Sequence, residues 1–143
     1  MGVGAAVAVI GWMLTLSVYD IRQRLLPNAL TVPGAVAVLV VAMGTGRGLP
    51  AVAGATALAL VYLAVHVVMP AGLGAGDVKL ALGVGALTGA FGVDAWVLAA
   101  LAAPLLTALW VLLAAGCRRR QATVPHGPSM CVSALAAVAL VVG

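Results

Sequence analysis

The sequence predicts an all-α integral membrane protein of about six transmembrane helices, forming a single domain over residues 1–143. Three observations lead there. Of 143 residues, 65% are hydrophobic and only 7% charged, with a mean hydropathy of +1.27; soluble domains carry about a quarter charged residues. The apolar runs approach the length that crosses a bilayer. The few charged residues sit in short connectors between them, and no polar stretch is long enough to fold separately.

The same composition narrows the function classes. The formal charge of +4 and the sequence pI of about 9.8 would suit nucleic acid, but the seven basic residues lie in connectors and form no basic face. Membrane topology explains them better, so the expected surroundings are membrane lipids and no nucleic acid. Cys117 and Cys131 form no Cys-x-x-Cys pair, which argues against a zinc ribbon or a disulfide framework; both read as free thiols. No second His or Cys accompanies His66 at metal spacing. Neither a metal nor an organic cofactor is expected. The start, Met1-Gly2-Val3-Gly4, lacks a basic n-region, so no cleaved signal peptide is expected.

Taken in order, the first apolar run is Val3 to Tyr19, ending at the polar cluster Asp20-Ile21-Arg22-Gln23-Arg24. Pro27 and Asn28 open the second helix, because proline lacks only an N–H that has no helical partner in a first turn. That helix runs to about Met43 and must accommodate Pro33 or tilt. Gly44 to Pro50 reads as a turn and Ala51 to Met69 as the third span. Pro70 and Gly72, Gly74 and Gly76 interrupt the chain. The fourth span, Val78 to about Val93, contains Gly83, Gly85, Gly89 and Gly92, small residues that let helices approach closely. Asp94 follows in a short turn. Trp96 to Gly116 is the fifth span, with a kink expected at Pro104. Arg118 to Gly127 is a polar loop, and Pro128 to Gly143 the sixth span.

Arg22, Arg24, Lys79 and Arg118 to Arg120 fall in alternate connectors, leaving only Arg47 on the other side. The positive-inside rule makes the six-residue side cytoplasmic and puts both termini outside a plasma membrane. Asp20 and Asp77 then share the cytoplasmic face, and Asp94 lies on the opposite one.

An ionisable group at the edge of an apolar span is costly and marks a functional position. Two aspartates at one depth on different helices are the ingredients of an aspartic protease: one carboxylate activates water, the other, protonated, polarises the scissile carbonyl. The competing reading pairs each acid locally, Asp20 with Arg24 and Asp77 with Lys79, as weak surface ion pairs. Asp20 ends an apolar helix, where the dipole opposes ionisation, whereas Asp77 starts one, where the dipole favours it. On that argument Asp77 is the ionised partner and Asp20 the protonated one.

Two stretches carry a family resemblance. Asp20-Ile21-Arg22-Gln23-Arg24-Leu25-Leu26-Pro27-Asn28-Ala29-Leu30-Thr31 resembles the first aspartate motif of the type IV prepilin peptidases. Gly74-Ala75-Gly76-Asp77-Val78-Lys79-Leu80 resembles their second, the Gly-x-Gly-Asp signature, and Pro125-His126-Gly127-Pro128 is similar to a Pro-x-Gly-Pro segment near their last helix. The resemblance implies a membrane aspartic endopeptidase, similar to the Gly-x-Gly-Asp proteases in fold, that removes the leader of prepilin or pseudopilin precursors at the cytoplasmic face. Carried over by position, Asp20 and Asp77 are catalytic, and Gly74, Gly76, Lys79, Arg22, Pro27 and Asn28 support the motifs. Tyr19-Asp20 with Gly74 to Asp77 is also similar to the wider class that includes archaeal preflagellin peptidases and presenilin. No Pro-Ala-Leu motif near the C-terminus accompanies it. The resemblance covers the peptidase part alone. Larger relatives carry a cysteine-pair region associated with N-methylation of the cleaved pilin; the resemblance here is to the peptidase part without it, so methyltransferase activity is not expected.

Two rival readings use the same acids: a small proton- or cation-coupled transporter or channel component, and an inactive relative that binds pilin-like helices. His66 reads as packed or hydrogen-bonded within its span. His126, just before the last helix on the side of the aspartates, reads as a loop residue, with a place beside the site as the alternative. Ser17, Ser129 and Ser133 lack a Ser/His/Asp context. The topology is directly testable. A membrane-impermeant thiol reagent applied from outside should label a cysteine placed at Asp94 and not one placed at Arg119; the reverse pattern would overturn it.

Overall fold

The computed structural model describes residues 2–116 and 125–143, all within six helices and their connectors. The helices are α1 (Val3–Gln23), α2 (Asn28–Gly44), α3 (Gly48–Val68), α4 (Ala75–Phe91), α5 (Val93–Gly116) and α6 (Gly127–Val142). The described chain forms no strand. α1, α3 and α5 are long and apolar enough to cross a membrane; α2 and α6 are apolar but shorter. The protein is an all-helical membrane protein. Cys117 and the arginine triplet, with most of the predicted polar loop, lie outside the described residues.

α4 is the centre. Nine residues between Leu80 and Gly89 are buried, and they include both small and large side chains. The helix packs against α2, α3, α5 and α6, while α1 closes the bundle chiefly through α6. The tightest seam is between α3 and α4. A Cβ added at Gly54 of α3 would stand 2.5 Å from the Gly85 carbonyl oxygen and 2.9 Å from Gly89 Cα, both on α4. One at Gly89 would stand 2.6 Å from the Pro50 carbonyl oxygen. The two backbones touch because neither side carries a side chain there. The Trp96 indole N–H donates to the Gly54 carbonyl at 3.0 Å, tying α5 to the same seam. Trp12 of α1 plays a comparable part across the bundle, donating to the Leu30 carbonyl at 2.9 Å. Its ring occupies the space that Cβ atoms at Gly34 and Gly83 would need.

Several helix ends differ from the sequence reading, each for a local reason. α1 continues one turn past Asp20 and stops at Arg24, whose φ of 51° is left-handed. α3 starts at Gly48, so Leu49 and Pro50 belong to its first turn, where proline is tolerated. α4 starts at Ala75, so Asp77 is its third residue. Asp94 lies in the first turn of α5 and not in a turn. Gly92 alone, at φ 115°, makes the break between α4 and α5, a backbone conformation open to glycine. An acid in a first turn is then favoured by the helix dipole. Pro33 is accommodated inside α2.

The seam gives a stability prediction. Gly54→Ala should destabilise the folded protein by about 1–3 kcal/mol, because the new methyl meets backbone that cannot move aside. Gly11→Ala, on a face of α1 with nothing within 4 Å, should show no loss. Thermal unfolding of both variants in the same detergent, followed by circular dichroism, reads the difference.

Candidate active site

Asp20 is 7% exposed, in the last turn of α1. Its Oδ2 accepts the Gly127 backbone N–H at 2.9 Å. Gly127 is the first residue of α6, so the carboxylate reaches out of its own helix to satisfy an N–H that α6 leaves unpaired. A carboxylate placed there also meets the positive end of the α6 dipole. The glycine makes room for the acid: a Cβ at 127 would stand 2.6 Å from Asp20 Oδ2, and the carboxylate would have to shift.

Asp77 is half-buried in the first turn of α4. Its Oδ2 accepts the N–H of Gly74 at 3.2 Å, while its own N–H donates to the Gly74 carbonyl at 3.1 Å. The acid thus caps the helix that carries it. Each carboxylate therefore takes a backbone N–H at a helix N-terminus. The sequence argument that only Asp77 enjoys a favourable dipole does not survive this geometry, because α6 supplies Asp20 with what α1 does not.

The two acids come from α1 and α4, which share little contact, and α6 bridges them. They lie within range of each other's charge. The Cys131 thiol, buried on α6, is within range of both and lies beside Ser17 of α1, whose hydroxyl donates to the Met13 carbonyl at 2.8 Å. Tyr62 of α3 is within range of Asp77.

The motif-support residues join the same region. Lys79 does not pair with Asp77 as local charge pairing suggested: its ammonium donates to Asn28 Oδ1 at 2.8 Å, a bond that links the two aspartate-bearing segments directly. Pro27 is the N-cap of α2. Gly76 lies against Leu26, whose Cβ would be 3.1 Å from a Cβ at 76. Arg22 is exposed in the last turn of α1. His66 is hydrogen-bonded through Nδ1 to the Leu73 carbonyl at 2.6 Å. A carbonyl only accepts, so Nδ1–H is the donor, and His66 thereby pins the glycine-rich connector to α3.

Tyr62 and Thr107 carry no motif signal in the sequence, and His126, expected in a loop or beside the site, is held by both. His126 is the N-cap of α6. Its Nε2 is 2.8 Å from the Tyr62 hydroxyl, its Nδ1 is 2.6 Å from Thr107 Oγ1, and its ring leans on Tyr62 with centroids 5.5 Å apart. An apolar cavity of about 490 Å³ opens beside this cluster, with Met69, Leu73, Thr107 and His126 on its wall. The available signal was Tyr62 itself, a hydroxyl inside a long apolar run, since a buried tyrosine needs a polar partner.

Residues 7–118 match the sequence model of the type IV leader peptidase family. The chain belongs to this family. The matched range takes in both aspartates and α2 to α5, and ends before Pro125-His126-Gly127-Pro128. No curated protein and no solved structure matches the chain. The protein is thus a membrane member of a peptidase family, and α6, beyond the matched region, supplies the N–H that holds Asp20.

That N–H can be tested through the glycine. Gly127→Ala should push the Asp20 carboxylate away and lower peptidase turnover by roughly 10- to 100-fold, the scale of an ångström's misplacement. Membrane insertion and expression should match the parent. Parental turnover in this variant would show that the Asp20–Gly127 contact has no role in activity.

Proposed function

We propose that the protein is an aspartic endopeptidase that removes the leader peptide of prepilin-like precursors, with Asp20 and Asp77 as its catalytic pair. One observation carries the reading: in a chain of the leader peptidase family, the two motif aspartates, 57 positions apart in the sequence numbering, fall within range of each other's charge at one end of the bundle. That proximity is what a shared-proton pair needs. All six helices cross the plasma membrane in this reading. Both termini lie outside, and the aspartate end faces the cytoplasm, as the basic residues direct.

The chemistry follows from two acids holding one proton. The ionised carboxylate takes a proton from a water, whose oxygen attacks the scissile carbonyl carbon. The protonated carboxyl hydrogen-bonds to the carbonyl oxygen and passes its proton there as negative charge develops. The tetrahedral intermediate then collapses, the C–N bond breaks, and the leaving amine collects a proton from the pair. Since interacting acids titrate as a unit, the proton belongs to the pair. The apolar cavity beside His126 suits the hydrophobic segment that follows a pilin-type leader. Family membership favours this reading over a proton- or cation-coupled carrier, which would use the same acids without cutting a chain.

Co-expression with a pilin-like precursor tests it. Asp20→Asn and Asp77→Asn should each abolish leader removal, seen as a mobility shift, while inserting normally. The double variant should be no worse than either single one, because paired groups act as a unit. Near-parental cleavage by either single variant would sink the dyad.

A further inference from the structure

With the Thr107 hydroxyl hydrogen on the Ala103 carbonyl, the proton order of the Tyr62–His126–Thr107 chain follows. The Thr107 hydroxyl has a single hydrogen and donates it to the Ala103 carbonyl at 3.1 Å. Toward His126, 2.6 Å away, Thr107 Oγ1 can then only accept, so His126 Nδ1 carries the proton. Burial holds His126 below the usual imidazole range, which favours the neutral ring. Nε2 is therefore a bare lone pair, and the Tyr62 O–H donates to it at 2.8 Å. With that proton committed, the Tyr62 oxygen has only lone pairs to offer elsewhere.

Two further observations direct those lone pairs. α3 and α4 run antiparallel, and the close approaches Pro50–Gly89, Gly54–Gly85 and Ala55–Gly85 set their register. Continued along the helices, that register brings Tyr62 level with Asp77 and Val78. Tyr62 is only 7% exposed, and it lies within range of the Asp77 charge. The same two-residue segment, His126-Gly127, also holds Asp20 through the Gly127 N–H. One short stretch at the head of α6 thus grips Tyr62 with its side chain and Asp20 with its backbone.

We propose that Tyr62 is a positioning residue of the aspartate pair: locked by His126 and Thr107 as an acceptor, its oxygen takes a hydrogen bond from the group of the pair that carries the proton, whether a protonated carboxyl or the water it holds. The inference rests on the proposed dyad and deepens it by naming what orients the shared proton. The arrangement keeps the mobile proton directed across the pair and away from bulk water. No bond is made or broken by Tyr62 itself.

The test uses full-length protein in detergent with a pilin-like precursor. Tyr62→Phe keeps the ring and its contact with His126 and removes only the oxygen. It should lower kcat by roughly 10- to 100-fold with KM near the parental value, the signature of an interaction felt in the transition state. His126→Gln, which retains an acceptor for Tyr62 and a donor for Thr107, should keep more of kcat than His126→Ala. A second readout needs no substrate: the infrared C=O stretch of the protonated carboxyl, identified by its change in Asp77→Asn or Asp20→Asn, should move to higher frequency in Tyr62→Phe. If the parent cleaves the precursor while Tyr62→Phe keeps both parental kcat and an unmoved band, the inference is overturned and the proposed function stands. A Tyr62→Phe defect confined to KM or thermal stability would also overturn it. If the parent cleaves no precursor, the proposed function fails. The infrared band then decides the positioning role: a shift supports it and an unmoved band rejects it.

Discussion

The close approach of α3 and α4 is the constraint on which the rest of the structure depends. Lipid is as apolar as leucine, so burying apolar side chains against one another adds little inside a membrane; contact distance and polar bonds decide how helices associate. Gly54, Gly85 and Gly89 remove the side chains that would hold the two backbones apart. Once α3 and α4 touch there, their register is set. The depth of Asp77 relative to Tyr62 is set with it, and Trp96 fastens α5 to the same carbonyl. A different register would slide the acid away from its neighbours without changing a single residue.

At the other end of α4 the difficulty is holding two carboxylates in a largely apolar bundle. Backbone donors at helix N-termini meet both acids. Asp77 takes the N–H of Gly74, and Asp20 takes the N–H of Gly127. Both are donors at helix N-termini, oriented by the helices and carrying no net charge. A buried arginine partner would bring its own desolvation penalty and would draw each acid into a private ion pair. Backbone donors leave the two acids free to interact with each other. The lysine of the second motif is bonded instead to Asn28 of the first, so it serves to join the two segments and leaves Asp77 to its own helix.

Much of this was legible in the chain. Membrane class, helical architecture and the approximate limits of all six helices followed from hydropathy and from Pro and Gly positions, because those depend on local chemistry. The two aspartate motifs pointed to a leader peptidase family to which the chain belongs. Helix ends were misjudged by a turn or less where a short-range signal was ambiguous. Asp94 resembles a turn residue in the sequence because the break at Gly92, a single residue at φ 115°, looks there like the start of a longer connector.

What the sequence by itself determined was therefore the set of apolar helices, their polar ends and the two acids, all consequences of residue type and near-neighbour spacing. The tertiary structure decided which ends meet. Asp20 lies 107 positions before Gly127 and Tyr62 lies 64 before His126, yet each pair is hydrogen-bonded. No periodicity relates residues so far apart, and an N–H of the backbone leaves no mark in the choice of side chain beyond the glycine that makes room for an approaching acid. The partners of Asp20 and Tyr62 exist only because α6 packs between α1 and α4, and that packing is set by shape across the whole bundle.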